Sequence, residues 1–137
     1  MNATTPETDA PPRGGPARRR VLLLETDLMI RALILEWLVL AGHEALPATD
    51  LAEARALGEP CDLILADLPA PQRAARQMVN QLLWTLPGAP IIAMSADMAV
   101  SGRAAREALA RELGVSAVLV KPFTQRALLC AIERIRV

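Results

Sequence analysis

The sequence predicts an α/β domain built on a doubly wound, five-stranded parallel sheet. Four short apolar runs each end in a polar group, and helical patterns separate these runs along the chain. Continuous apolar runs of this kind are typical of parallel strands buried on both faces. The 137 residues are enough for one core, and aliphatic side chains must build it, because aromatic residues make up only 2% of the chain.

The four runs are predicted as the first, third, fourth and fifth strands, at residues 21–24, 63–66, 91–94 and 118–120. A weaker second strand is predicted at residues 44–48. Because strands alternate with helices, the expected strand order is 2-1-3-4-5, with the switch point between the first and third strands.

Five helices are predicted between and after these strands. The first covers residues 28–41, with Asp27 as its N-cap and Gly42 as its stop. The second begins at a capping box of Asp50 and Glu53 and ends near Gly58. The remaining three are predicted at residues 72–86, 99–113 and 124–136.

Composition excludes several classes of protein. Fifteen basic and fifteen acidic residues cancel, so no overall charge favours binding to nucleic acid or to a membrane. The longest apolar stretch is interrupted by charges and is shorter than the roughly 20 residues that span a bilayer. Residues 1–19, rich in Pro and Gly, are predicted to be a disordered tail before a domain at residues 20–137. With no apolar signal core before that domain, a cytoplasmic protein is expected.

Polar groups at the strand ends predict one crevice, because the site of such a sheet lies at the carboxyl ends of its strands. The groups are Glu25, Asp67, Ser95 and Lys121. Crowded carboxylates require a cation or a proton between them, and Mg²⁺ suits oxygen ligands. Asp67 can act as a nucleophile towards phosphorus, with Ser95 and Lys121 contacting phosphoryl oxygens. The alternative is a structural ion pair of Lys121 with Asp67 that performs no chemistry.

Three segments end the third, fourth and fifth strands: Asp62 to Asp67 with Pro71 four residues on, Ile91 to Ala96, and Val120 to Phe123. These segments resemble response-regulator receiver domains of two-component signalling. The resemblance extends over residues 20–137 and implies a flavodoxin-like receiver fold. It also implies that Asp67 accepts phosphate from a histidine kinase or histidine phosphotransfer protein. Ser95 would be the switch hydroxyl, Lys121 the phosphate-contacting lysine, and Lys121–Pro122 a cis bond.

Three departures from the family pattern bear on the metal site and the switch: Thr26, Pro69, which stiffens the loop after the third strand, and Val118. Thr26 occupies the place of the second acid, so Mg²⁺ is expected to bind weakly through Glu25, Asp67 and the backbone carbonyl of Pro69. Asp27 is a further candidate ligand, although it is also needed as a helix cap. Val118 stands where the family has an aromatic residue that couples to the switch hydroxyl.

The expected function is that of a single-domain response regulator in a phosphorelay, which acts by binding a downstream protein and is not an enzyme. One alternative is a pseudo-receiver that binds partners without phosphorylation. An alternative of another class is an aspartyl-nucleophile phosphatase, but such enzymes need an acid two residues past the nucleophile, where this chain has Pro69. A flavin- or nucleotide-binding module is disfavoured because the loop after the first strand lacks glycine and is acidic.

The first helix is predicted to have two apolar stripes. Ile30, Ile34, Trp37 and Ala41 should pack on the sheet, and a second stripe of Leu28, Ala32, Leu35 and Val39 should lie nearly opposite. From the second stripe, Leu28, Leu35 and Val39 are predicted to contact a second copy of the chain or a helical partner.

Overall fold

The predicted sheet is present, with the expected strand order, in a computed structural model that describes residues 18–135. All five strands are parallel, in the order β2-β1-β3-β4-β5. Their bounds are β1 Arg20–Leu24, β2 Glu44–Ala48, β3 Leu63–Asp67, β4 Ile91–Ser95 and β5 Ala117–Val120. The expected fold class is therefore confirmed.

Five α-helices cover the two faces of the sheet. They are α1 Leu28–Leu40, α2 Leu51–Leu57, α3 Gln72–Thr85, α4 Arg103–Leu113 and α5 Gln125–Arg134. On one face the core joins the sheet to α1 and α5 through Ile34, Leu38 and Leu128. On the other face it joins the sheet to α2, α3 and α4 through Ala54, Val79, Leu82 and Leu113. Because helices lie on both faces, side chains pointing either way from the central strands are buried, which explains their continuous apolar runs.

Strand register brings the polar strand ends to one edge. Leu24 pairs with Ala66, Asp67 with Met94, and Ser95 with Val120. The strands β1, β3, β4 and β5 therefore end almost level with one another. We call this the carboxyl edge, and it includes Glu25, Asp67, Ser95 and Lys121, the residues that terminate or directly follow these strands.

Several predicted helix boundaries are wrong by one residue or more. The fourth helix begins at Arg103 rather than at residue 99, because Met98–Val100 forms a 3₁₀ turn and extended Gly102 precedes the helix. The fifth begins at Gln125, since Thr124 is its N-cap and accepts a hydrogen bond from the Ala127 N–H. The predicted end of that helix at residue 136 is also wrong, because the helix ends at Arg134 and the backbone is already extended at Ile135.

Most of the predicted tail, residues 1–17, also lies outside the described residues. Arg19, the last residue assigned to that tail, is buried, and its carbonyl accepts from the Glu44 N–H at 2.9 Å. Between residues 18 and 135, no helix is both long enough and apolar enough to cross a bilayer.

Candidate functional site at the carboxyl edge

Lys121 lies between the two acids of the carboxyl edge. Its Nζ donates to Asp67 Oδ1 at 2.8 Å and lies 2.9 Å from Glu25 Oε1. The Glu25 side chain is only 1% exposed, whereas those of Lys121 and Asp67 are 17% and 27% exposed. The predicted cluster of two carboxylates therefore exists, and a single ammonium group bridges it.

The charge on Lys121 is stabilised by this position. Burial by itself lowers the pKa of a lysine, but the hydrogen bonds and charges of Asp67 and Glu25 outweigh burial and raise the pKa of Lys121. The lysine is thus a permanent cation at neutral pH, held against the carboxylate that is the candidate nucleophile.

The two acids of the loop after β1 have different structural roles. Glu25 Oε2 accepts from the Asp27 N–H at 3.0 Å, which ties the buried carboxylate to the loop. Asp27 Oδ1 in turn accepts from the N–H groups of Met29 and Ile30, both at 3.0 Å. Asp27 is therefore the predicted N-cap of α1, and one of its oxygens is committed to the helix.

Ser95 ends β4 and lies one residue beyond Met94, the strand partner of Asp67. Its carbonyl accepts from the Lys121 N–H at 2.7 Å, which fixes β4 against the segment that carries the lysine. Its Oγ accepts from the Asp97 N–H at 3.1 Å. That bond leaves the hydroxyl proton of Ser95 available for another acceptor, such as a phosphoryl oxygen.

The donors present fit Mg²⁺ poorly. No group of three or more acid, histidine or cysteine side chains within residues 18–135 is placed to hold a metal ion. Lys121 faces both Glu25 and Asp67, and Thr26, at the predicted degenerate acid position, is exposed and uncharged. Mg²⁺ prefers several anionic oxygen ligands. Because Lys121 already contacts both carboxylates, few such oxygens are free to bind it here.

The loop after β3 contains the other predicted metal donor, the Pro69 carbonyl. Pro69 is exposed, and the bond between Ala70 and Pro71 is cis. The Lys121–Pro122 bond is also cis, as the resemblance implies. Val118 is buried beside Ala93 and Ala110, so this position forms part of the core beneath α4.

The exposed surface of α1 differs from the predicted stripe. Leu28 and Val39 are exposed as expected, but Leu35 is half-buried and packs against the core, so its predicted position on the outward stripe is wrong. Leu38, which the predicted packing stripe omits, is fully buried with Ile34. The cause is the rotation of α1 about its axis, which centres its buried side near Ile34 and Leu38. Three exposed residues missing from the predicted stripe are Met29, Leu33 and Leu40.

A buried polar cluster at the opposite edge of the sheet was not predicted. The Arg19 N–H donates to His43 Nδ1 at 3.1 Å, and the Arg19 guanidinium donates to the Ile135 carbonyl. Burial and the charge of Arg19 lower the pKa of His43, while the charge of Glu133 opposes this shift. Sequence alone gives no signal for the cluster, because its members are far apart along the chain.

Comparisons with known proteins bear on the family and the fold of this chain. No protein-family model matches the chain. The response regulator protein FleR of Pseudomonas aeruginosa is 34% identical over 118 residues, which cover 84% of this chain. The chain spans only 24% of the length of that curated relative.

Solved structures give the same picture of the fold. The chemotaxis protein CheY4 of Vibrio cholerae has a TM-score of 0.69 at 24% identity, over 88% of this chain and 100% of that one. A response regulator from Thermotoga maritima has a TM-score of 0.70 at 16% identity, over 86% of this chain and 97% of that one. A CheY-like receiver domain from Methanospirillum hungatei has a TM-score of 0.67 at 22% identity, over 85% of this chain and 91% of that one. These likenesses establish the CheY-like, flavodoxin-type fold.

Proposed function

This chain carries a receiver domain of the response-regulator type, and we propose that it accepts a phosphoryl group on Asp67 in a phosphorelay. The observation that carries the proposal is the 2.8 Å contact of Lys121 with the Asp67 carboxylate at the carboxyl edge. A fixed cation beside a strand-end carboxylate is suited to stabilise the negative charge of a phosphoryl group.

The proposed reaction is a transfer between a histidine and this aspartate. An oxygen of Asp67 attacks phosphorus in the phosphohistidine of a histidine kinase or phosphotransfer protein. The P–O bond of an acyl phosphate forms, the P–N bond breaks, and the histidine ring keeps the bonding electrons. Lys121 neutralises one phosphoryl oxygen, and the Ser95 hydroxyl donates to another. Any Mg²⁺ at this edge is proposed to bind weakly.

The proposed output is the binding of a downstream protein in the cytoplasm, and not catalysis on a small molecule. Support for this part comes from the family alone. The phosphatase alternative gains nothing from the structure, because exposed Pro69 occupies the position where such enzymes need an acid.

The pseudo-receiver remains the second candidate because of two specific features. Thr26 removes a carboxylate from the cation site, and Val118 is a core residue where the family has a switch aromatic. In this version Lys121 and its two acids are a structural ion-pair network, and partner binding is independent of phosphate.

Intact mass measurement after incubation with a small-molecule phosphodonor and Mg²⁺ separates the two candidates. The parent should gain one phosphoryl group, and Asp67→Asn should gain none. Asp97→Asn is the matched control, because Asp97 is an exposed acid close to the same edge. Labelling that persists in Asp67→Asn would contradict the assignment of the phosphoacceptor. A parent protein that gains no phosphoryl group from the phosphodonor would favour the pseudo-receiver.

A further inference from the structure

The helix α1 is apolar on nearly every side. Its inner side is buried against the sheet, and its outer side exposes six apolar residues and Glu36. We call these six the apolar face of α1, and they are Leu28, Met29, Ala32, Leu33, Val39 and Leu40. Among the described residues, seven large hydrophobic side chains are exposed, and five of them lie on this face. A helix that is apolar all round is typical of a buried helix, so a second surface is expected to cover it.

We infer that this face is the contact between two copies of the chain, which pair through antiparallel α1 helices. The inference does not depend on phosphorylation of Asp67. Three features of the helix favour a second copy as the occupant: the area of the face, the arrangement of its residues about the helix centre, and the position of Glu36, the one charged residue exposed on this side.

The area is sufficient for a specific contact. Exposed fractions of the five large side chains run from 47% for Leu33 to 83% for Met29. Together they offer on the order of 500 Å² of apolar surface per copy, so a pair would bury about 1,000 Å², near the lower limit for a specific interface.

The arrangement of residues is self-complementary. At about 100° per residue, Leu28, Ala32 and Val39 form one stripe, and Met29, Leu33, Glu36 and Leu40 form a second stripe beside it. A two-fold axis near Ile34, the middle of the helix, places each stripe along the same stripe of the other copy. Leu28 then meets the other copy's Val39, and Met29 meets the other copy's Leu40. Both contacts join exposed apolar side chains.

The single charge lies where this pairing tolerates it. Glu36 is two residues from the centre of the helix, so the two Glu36 positions are separated by about 6 Å along the axis in the pair. Each Glu36 is level with Ala32 of the other copy, which lies on the neighbouring stripe and whose small side chain leaves room for the carboxylate to reach water. A parallel pairing would instead place the two Glu36 side chains level with each other.

Sedimentation equilibrium of the whole chain over a wide concentration range tests the inference. The parent should reach twice the mass of one chain. Met29→Lys and Leu40→Glu should each weaken the dimer by about 100-fold, the effect of losing an interface hot spot. Leu83→Glu and Trp84→Lys, at exposed positions on α3, are matched controls and should leave it unchanged.

Mixing the two α1 variants tests the antiparallel register. The opposite charges face each other in the mixed pair, so Met29→Lys with Leu40→Glu should restore dimers that neither forms alone. If a charged variant fails to fold by circular dichroism, Val39→Ser provides a milder test with the same expected direction. A parent that is monomeric at every concentration, or a dimer that the α1 variants do not weaken, would overturn the inference. A mixture that stays monomeric would overturn the register, and with it the pairing proposed here.

Discussion

Lys121 is the residue on which the carboxyl edge depends. It is the cation between buried Glu25 and half-buried Asp67, and the raised pKa of Lys121 reflects both acids. Buried charges are tolerated when they are paired, and they are costly when one partner is removed. Loss of Lys121 should therefore be costly through Glu25 alone, whether or not Asp67 accepts phosphate.

Replacement of Lys121 by methionine should destabilise the fold. The change leaves Glu25 buried without its counter-charge, so the free energy of unfolding should fall by about 3 kcal/mol. Urea denaturation measures it, and Arg103→Ala is the control, because the Arg103–Glu107 pair is exposed and should contribute less than about 0.5 kcal/mol. A deficit no larger than that of Arg103→Ala would mean that Glu25 is satisfied without the lysine.

The metal site should be limited by Thr26. Thr26→Asp adds a carboxylate at an exposed position of the carboxyl edge, so Mg²⁺ affinity should rise about tenfold or more. Stability without metal should fall slightly, because the new charge lies near other acids. Titration calorimetry measures the affinity, and Thr26→Asn controls for shape without charge. Equal Mg²⁺ affinity in the parent and Thr26→Asp would mean that another group already supplies the ligand.

At the scale of the element, α1 combines two roles that its sequence only partly separates. Its N-terminus is fixed to the carboxyl edge by Asp27, and its outer side is the apolar face proposed to pair two copies. The cap depends on neighbours in sequence and could be predicted. The exposed face depends on how the helix is rotated against the sheet, and the prediction misplaced Leu35.

Removal of the Asp27 carboxylate should affect the helix and not the metal. Asp27→Ala should lower the free energy of unfolding by about 1 kcal/mol, whereas Asp27→Asn should be nearly neutral, since asparagine is an equally good N-cap. The Mg²⁺ affinity of both variants should equal that of the parent, as measured by titration calorimetry. A loss of Mg²⁺ affinity in Asp27→Asn at unchanged stability would show that Asp27 is a metal ligand after all.

At the scale of the whole molecule, a polar cluster opposite the carboxyl edge joins distant parts of the chain. Arg19 lies just before β1, His43 just before β2, and Ile135 just after α5. His43 Nδ1 accepts a hydrogen bond and therefore must be unprotonated in this arrangement. The lowered pKa of His43 agrees with that requirement.

Stability should consequently depend on pH through His43. Its pKa is lower in the folded chain than in the unfolded chain, so the unfolded state binds the proton more readily. The stabilisation is fully present above the ordinary histidine pKa of about 6.5 and is lost as pH falls through the lower folded value. Urea unfolding at pH 7.5 and at pH 5 measures the change. His43→Asn keeps a hydrogen-bond acceptor that does not titrate in this range. In that variant, the part of the decrease in the free energy of unfolding that is due to His43 should disappear. An equal decrease in parent and variant would assign the pH dependence to other groups.

The sequence by itself determined the sheet, its strand order and the residues that end each strand. Strands buried on both faces must be apolar throughout, and a polar residue at their carboxyl ends marks the edge where a site forms. Local signals were equally sufficient for the N-caps at Asp27 and Asp50, because a cap contacts only the next few residues.

Only the tertiary structure decided how those residues are used. Three features join residues distant in sequence or depend on the rotation of a helix. They are the bridge from Lys121 to both Glu25 and Asp67, the packing of Leu35 against the core, and the cluster of Arg19 with His43. Periodicity places a side chain on a helix, but the packing of that helix on its sheet fixes which side is buried. For α1, whose residues are apolar on nearly every side, the pattern alone could not single out the buried side, and contacts with the sheet determined it.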